Sequence, residues 1–215
     1  SMIPSNGPAG EVGVTYSVTN RNALFVALDQ YVAAYRVNQA WLDAQFASNG
    51  LPHVFAFGHN PAFKLYHSDC LDDYPTERDA FWNSLSNAGA RAYFCGHDHA
   101  YDHARLDDGD GNPGNDLHQF VVGTAGAPLR DGSLYDGANG SWTPTNVFFE
   151  KQYGYVLVEV DGYDVRLTWK HRTGPGIYEA AETFSYAGPY LWSQATDFGG
   201  HWKWLSWFGS FYEAY

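Results

Sequence analysis

Short apolar runs alternate with amphipathic segments along the first hundred residues of the chain. Residues 23–29 (ALFVALD) and 53–57 (HVFAF) are continuous apolar runs, which are typical of parallel strands that are buried on both faces. Between them, apolar residues recur at helical spacing over residues 37–47, and Gly50 ends that pattern. The sequence therefore predicts a strand, a helix and a second strand in this order.

A second helix and a third strand follow the same pattern. Thr76 is the predicted N-cap, with Asp79 three residues later, and residues 91–95 (RAYFC) form the next apolar run. The predicted buried face of this helix consists of Phe81, Trp82, Leu85 and Ala88. Crossovers between parallel strands are right-handed, so these strands end at one edge of the sheet, where open α/β sheets bind ligands.

The pattern becomes β-rich beyond residue 104. Residues 107–116 form a cluster of turn residues, and residues 117–126 begin as a strand. Residues 127–150 are rich in Gly, Pro, Asn and Tyr, and we expect a long surface loop there. Residues 153–171 alternate as in a β-hairpin with its turn at Asp161 and Gly162. The predicted fold class is α/β, with a β-rich C-terminal half.

Length and charge narrow the classes of partner. The 215 residues suffice for one domain with a core. A formal charge of −12 with only 12 Lys and Arg residues argues against nucleic acid as a partner. Neither a membrane-spanning run nor a signal peptide is recognisable, so we expect a soluble protein without a membrane partner. Two cysteines, Cys70 and Cys95, are too few to indicate a cellular compartment.

Histidines cluster directly after two of the predicted strands. Residues 58–61 read GHNP and residues 96–103 read GHDHAYDH. His97 and His99 flank Asp98, so in an extended loop their side chains point to the same side. His59 follows the adjacent strand and can meet them there. Three converging imidazoles suit zinc, iron, manganese or nickel, whereas isolated loop histidines would only contact water. His103 is expected to be a bystander on the outgoing strand.

These two motifs resemble the last two motifs of the calcineurin-like metallophosphoesterases, and most closely those of the purple acid phosphatase branch. The resemblance covers the C-terminal half of that family's domain and extends over roughly residues 14–170 of this chain. Residues 1–215 as a whole are expected to form a single domain. It implies a partial α/β/β/α sandwich with mixed sheets. It also implies an enzyme, a phosphatase or phosphodiesterase, that hydrolyses a small-molecule phosphate ester with bound transition metal.

The resemblance also implies roles for individual residues. His59 and His97 would bind one metal ion, and His99 would bind the other. His67, in the loop after GHNP, would be the catalytic residue that protonates the leaving group or contacts the phosphate. Asn60 and His67 are the expected substrate-binding residues.

The family's three earlier motifs, which supply carboxylates, do not occur in residues 1–57, where Asp29 is the acidic residue next to a predicted sheet edge. Two cations held by imidazoles alone would repel each other, so we expect at most one well-held metal ion per chain, divalent or trivalent. The site would then be reduced, or completed by a homo-oligomer that covers the open sheet.

The alternatives to an active enzyme are a weakly active or inactive truncated fragment, and a binding module. The module would use the aromatic segment 186–215, which includes Trp202, Trp204, Trp207 and Tyr212.

An acidic loop provides a further candidate. Asp108, Asp110 and Asn112 place oxygens at alternate positions, as calcium loops do, but Pro113 stands where such a loop needs glycine. The loop is interpreted either as a solvated hairpin loop or as a weak calcium site. The nearby Asp-x-His string at residues 116–118 is interpreted as coincidence.

Overall fold

The computed structural model describes residues 3–188, together with the backbone of residues 203–205 and 211–213. A short 3-10 helix, Leu71–Asp73, precedes the second α-helix. The elements in chain order are β1 (Tyr16–Asn20), β2 (Ala23–Ala27), α1 (Gln39–Ala47), β3 (His53–Phe57), α2 (Pro75–Asn87), β4 (Ala92–Cys95), β5 (Tyr101–Asp107), β6 (Leu117–Val122), β7 (Thr143–Glu150), β8 (Gly154–Asp161), β9 (Asp164–Gly174), β10 (Ile177–Ala187), β11 (Lys203–Leu205) and β12 (Phe211–Glu213).

A seven-stranded mixed sheet carries the strands that the sequence predicted. Its order is β1-β2-β3-β4-β6-β5-β7, and β2, β3, β4 and β6 run parallel to one another. The predicted parallel arrangement is therefore confirmed, and the loops that follow β3 and β4 leave from the same edge. A second sheet, β10-β9-β8, is antiparallel and contains the predicted hairpin.

Alternation along the central strands divides the core into two layers. On β3, Val54 and Ala56 pack on the side of the helices, whereas Phe55 packs on the side of the second sheet. Trp82 of α2 is fully buried in the helix layer, and Trp169 of β9 is buried in the layer between the sheets. The helix, sheet and sheet layers together form a partial α/β/β/α sandwich, as the sequence analysis predicted.

Two local predictions are corrected by the structure, and one strand was not predicted. Helix α2 begins at Pro75, with Tyr74 in the N-cap position, because proline fixes the backbone angle that a first helical residue needs. Thr76 therefore lies inside the helix, and its prediction as N-cap is wrong. The loop predicted over 127–150 ends in β7, which pairs with β5. Strand β10, with alternating but largely exposed residues, was not predicted.

The aromatic C-terminal segment falls mostly outside the described residues. Trp202 and Trp207 are not described, and the side chains of Trp204 and Tyr212 are not described either. The binding-module hypothesis, which rests on these residues, therefore stays a prediction. In the described part of the chain, no helix has the length and apolar character needed to cross a membrane.

Candidate metal centre

The two Gly-His loops bring a pair of imidazoles into contact at the carboxyl edge of the large sheet. His59 follows β3 and His97 follows β4, and Nε2 of His59 lies 3.2 Å from Nδ1 of His97. Gly58 is required at the start of the first loop, because a Cβ there would lie 2.3 Å from the hydroxyl oxygen of Tyr93. The neighbouring parallel strands thus position two of the three predicted metal ligands side by side.

The sharp turn of the second loop is made by the histidine itself. The φ angle of His97 is 63°, in the left-handed region, which costs a non-glycine residue on the order of 1–3 kcal/mol. Gly96, directly before it, does not have a positive φ angle. The N–H of Asp98 donates to the carbonyl of Gly96 at 2.7 Å and closes the turn. The chain therefore maintains an unfavourable backbone conformation at the residue that faces His59.

A carboxylate that the sequence analysis did not select completes this pair. Oδ1 of Asp69 lies 2.9 Å from Nε2 of His97, and this hydrogen bond lowers the pKa of Asp69. An ionised carboxylate can only accept, so Nε2 of His97 carries a proton, and in the neutral ring the lone pair of Nδ1 then faces His59. The signal in the sequence was the spacing His67-Ser68-Asp69, which places a carboxylate two residues after a candidate histidine.

His67 is held by a second carboxylate. Its Nδ1 lies 2.8 Å from Oδ1 of Asp98, which is fully buried. The Asp98 carboxylate also accepts the backbone N–H groups of Leu65 at 2.6 Å, Tyr66 at 3.3 Å and His67 at 3.2 Å. Nδ1 of His67 faces Asp98 at this distance without the alignment of a hydrogen bond, and Nε2 is the ring nitrogen that remains for a metal ion or a substrate.

His99 and Asn60 occupy different surroundings. Nδ1 of His99 lies 3.2 Å from the carbonyl oxygen of Pro128, which only accepts, so Nε2 is the nitrogen left to bind a ligand. The ring of His99 is centred 6.4 Å from that of His67. Asn60 is fully buried, and its amide donates to the carbonyl of Asp69 at 2.5 Å. Asn60 thus holds the loop that carries Asp69, and its role as a substrate ligand stays a prediction.

Asp29, the acidic residue near the sheet edge, is directed towards its own turn. Its Oδ2 accepts the N–H groups of Tyr31 at 3.1 Å and Val32 at 2.8 Å. The ring of Tyr31 in turn lies 5.9 Å from the ring of His59. Asp29 therefore shapes the border of the histidine pair through Tyr31.

His103 has partners elsewhere, in the interface between the two sheets. It is buried on β5, its Nε2 lies 2.7 Å from Nδ1 of His118, and its Nδ1 contacts Glu182. Burial lowers the pKa of His118 to about 2, and the charge of His103 contributes to this shift as the second-largest cause. These contacts join β5, β6 and β10 and agree with the prediction that His103 stands apart from the metal site.

The donor atoms at the sheet edge fit a transition-metal ion. One donor atom each from His67, Asp69 and His97 lie within 4.8 Å of one another, and the His59–His97 pair adjoins this group. Burial and the neighbouring His97 lower the pKa of His59, which favours the neutral imidazole that binds metals. Imidazole nitrogens, such as those of His59 and His97, suit zinc, iron and manganese.

No protein-family profile matches the chain, and no curated protein matches it in sequence. Several solved structures are similar. A purple acid phosphatase from seeds of yellow lupin (Lupinus luteus) matches with a TM-score of 0.62 and 15% identity, over 80% of this chain and 32% of that one. PhoD matches with a TM-score of 0.56 and 16% identity, over 85% of this chain and 44% of that one. GAP50, described as the anchor in the inner membrane complex of Plasmodium, matches with a TM-score of 0.55 and 15% identity, over 82% of this chain and 54% of that one.

These similarities concern the fold, since the identities are low. The chain spans between 32% and 54% of the length of these three structures. The purple acid phosphatase and PhoD have calcineurin-like metallophosphoesterase folds, in agreement with the fold that the two histidine motifs implied. This chain therefore has part of the calcineurin-like metallophosphoesterase fold.

Proposed function

We propose that the protein is a metal-dependent phosphoesterase that hydrolyses small-molecule phosphate esters with one well-held metal ion per chain. The observation that carries this proposal is the approach of His59 Nε2 to within 3.2 Å of His97 Nδ1, while Asp69 accepts from the opposite side of the His97 ring. Two facing lone pairs at this separation repel each other unless a proton or a metal ion lies between or beside them. A carboxylate on the far nitrogen of a histidine ligand orients the ring and raises its basicity.

His59 and His97 would hold the ion in this proposal, and Asp69 would position His97. A bound transition-metal ion would supply Lewis-acid activation of a phosphoryl oxygen and of the attacking water. His99, on the other side of His67, would contact the same ion or the ester through its Nε2. The half-exposed Asp69 leaves this edge open to solvent and to a small ester.

His67 would serve as the proton donor to the leaving group. Nε2 of His67 would be the atom that transfers the proton, because Nδ1 faces the buried carboxylate of Asp98 at 2.8 Å. A carboxylate partner orients catalytic histidines in general, and Asp98 would do so for His67. Because Asp98 also accepts three backbone N–H groups of this loop, the position of the ring is fixed.

The proposal is tested by elemental analysis of the purified protein and by hydrolysis of p-nitrophenyl phosphate and bis(p-nitrophenyl) phosphate. We expect about one transition-metal ion per chain, and activity that chelation removes and metal restores. His97→Ala should remove both metal and activity. His171→Ala is the matched control, because that histidine lies on β9 of the second sheet and pairs with Glu150 of β7. Activity that survives chelation or His97→Ala would contradict the proposal.

A second candidate is a metal-binding protein with weak or no hydrolytic activity. It is favoured by the partial span, 32%, of the purple acid phosphatase fold. In that case the metal would bind with the same dependence on His97, but neither ester would be hydrolysed above the rate of the His97→Ala variant. Metal content and turnover thus separate the two candidates.

A homo-oligomer that covers the open part of the large sheet belongs to the same proposal. Phe57 is 38% exposed at the end of β3 and stacks on Phe94, with ring centroids 5.2 Å apart. An exposed aromatic ring beside the metal site is a surface that a second copy of the chain would bury. Sedimentation of the wild type and of Phe57→Ser, combined with activity at several protein concentrations, tests this assembly.

A further inference from the structure

The loop between β5 and β6 gathers three carboxylates away from the histidines. Asp107 ends β5, Asp108 follows it, and Asp116 directly precedes β6. One carboxylate oxygen from each of the three lies within 4.8 Å of the others. Because β6 runs parallel to β4, this loop lies at the sheet edge opposite the one that carries His97.

Asp116 provides a second and independent observation. Its residue is only 3% exposed, and its Oδ1 is buried without a hydrogen-bond partner among the described residues. Its Oδ2 lies 3.5 Å from Nε of Arg105, which is longer than a good hydrogen bond. Leaving a carboxylate oxygen buried and unsatisfied is costly, and such an atom calls for a ligand.

The arginines near the loop do not neutralise this group. Arg91 directs Nε to the backbone carbonyl of Asp116 at 3.0 Å and Nη1 to the carbonyl of Gly114. Arg105 is the cation that faces the carboxylate of Asp116, and its side chain is 38% exposed. Burial, together with the charges of Asp107 and Asp108, raises the pKa of Asp116. Arg105 and Arg91 both favour the ionised form of Asp116, but only Arg105 forms an ion pair with it, and that contact is long and partly exposed to solvent.

We propose that Asp107, Asp108 and Asp116 bind a calcium ion. Calcium takes oxygen ligands at about 2.3–2.6 Å, so two oxygens on one ion are separated by at most about 5 Å, and the three carboxylates satisfy this limit. The ion would pair with the buried oxygen of Asp116, and water would complete its flexible coordination on the exposed side of Asp108. Transition metals are directed instead to the imidazoles of the other edge.

This ligand set differs from the alternate positions that the sequence suggested. Asp110 directs Oδ1 to the N–H of Asn112 at 2.6 Å and Oδ2 to the amide of Asn115 at 2.8 Å. Both oxygens of its carboxylate are thus engaged by the loop, whereas Asp107 and Asp108 each accept one loop N–H, at Oδ1. Asp110 and Asp108 are both exposed acids of one loop, but only Asp108 belongs to the three-carboxylate cluster. This contrast provides the matched control.

The experiment is calorimetric titration of the whole metal-loaded chain with calcium chloride. An open site of three carboxylates is expected to bind one calcium per chain with a dissociation constant of about 10⁻⁴–10⁻³ M. Asp116→Asn and Asp108→Asn should each weaken binding at least about tenfold, whereas Asp110→Asn should change it less than about threefold. In 10 mM calcium, the metal-loaded wild type should melt roughly 3–8 °C higher than without added calcium, and Asp116→Asn should not.

Three outcomes would overturn the proposal. The first is the absence of saturable calcium binding up to roughly 10 mM, the top of the useful range for such a site. The second is an equal loss of affinity in Asp108→Asn and Asp110→Asn, which would indicate a diffuse counterion effect. The third is loss of calcium binding in His97→Ala, which would place the ion at the histidines. Circular dichroism of each variant verifies that it is folded.

Discussion

Nε2 of His97 donates to Oδ1 of Asp69 over 2.9 Å, and this contact determines that Nδ1 is the nitrogen that faces His59. Asp69→Ala should therefore lower metal affinity about 10–100-fold, as the loss of a carboxylate behind a histidine ligand does. Asp69→Asn should lower it less, because the amide oxygen still accepts the proton of Nε2. Competition with a chromogenic zinc chelator measures both affinities.

The comparison of Ala with Asn also tests whether Asp69 binds the ion directly. A direct ligand would lose affinity alike in both variants, because an amide oxygen is a poor ligand for zinc. Asp73→Asn is the control, since Asp73 is an exposed acid of the same loop. Equal and large losses in Asp69→Ala and Asp69→Asn would contradict the positioning role.

Asp98 is fully buried, and its carboxylate accepts hydrogen bonds from the backbone N–H groups of residues 65–67. Asp98→Ala should lower the free energy of unfolding by about 3–5 kcal/mol, because it leaves several buried donors without an acceptor. Hydrolysis should fall further than the loss of folded protein explains, since His67 loses the partner of its Nδ1. Urea unfolding and turnover per folded molecule measure the two effects. Unchanged turnover in folded Asp98→Ala would contradict the role given to His67.

Arg78 is a fully buried cation on helix α2. It contacts Asp72, donates to Asp79 at 3.1 Å and lies 4.1 Å above the ring of Phe63. Arg78→Met should destabilise the protein by about 3–5 kcal/mol, because it leaves the buried carboxylate of Asp72 with only the more distant ammonium group of Lys64, at 4.0 Å. The double variant Arg78→Met with Asp72→Asn should recover part of this loss. Urea unfolding of the wild type and the three variants completes this double-mutant cycle, and additive losses would show that the two residues do not interact.

The sequence predicted those parts of the fold that depend on local pattern. Strand β3 lies at residues 53–57 as predicted, and both Gly-His loops leave one sheet edge, because apolar runs and right-handed crossovers determine that arrangement. Buried Arg78 on a predicted apolar helix face was not predicted. Its burial depends on contacts with Asp72 and Asn139, and the spacing of apolar residues along a helix does not predict such contacts.

The sequence predicted those residues of the candidate site that directly follow a strand. His59 and His97 are placed by β3 and β4, so their meeting followed from topology. Asp69 lies in an irregular loop, and its approach to His97 depends on long-range contacts, such as the donation from Asn60 to its carbonyl. Asp98 was read only as the spacer between two histidines. Its role depends on a loop more than thirty residues away in the chain, and no local pattern encodes that contact.

Asp102 is a buried carboxylate whose charge should make stability depend on pH. Burial raises its pKa to about 7, although Tyr135 and Asn146 donate to it at 2.6 Å and 2.8 Å. Its pKa in the unfolded chain is about 3.9. Between these two values the folded state holds a proton that the unfolded state has released, so this contribution to stability is full below about pH 4 and is lost as the pH rises through about 7.

Asp102→Asn should remove this dependence while keeping both hydrogen bonds, since an amide oxygen accepts from Asn146 and an amide N–H can donate to Tyr135. Wild-type stability should fall relative to the variant by up to about 1.4 kcal/mol per pH unit between about pH 5 and 7. His118, whose lowered pKa acts in the opposite direction, is present in both proteins and cancels in the difference. Urea unfolding of both proteins at several pH values measures this difference, and parallel stability curves would show that Asp102 is already ionised in the folded protein.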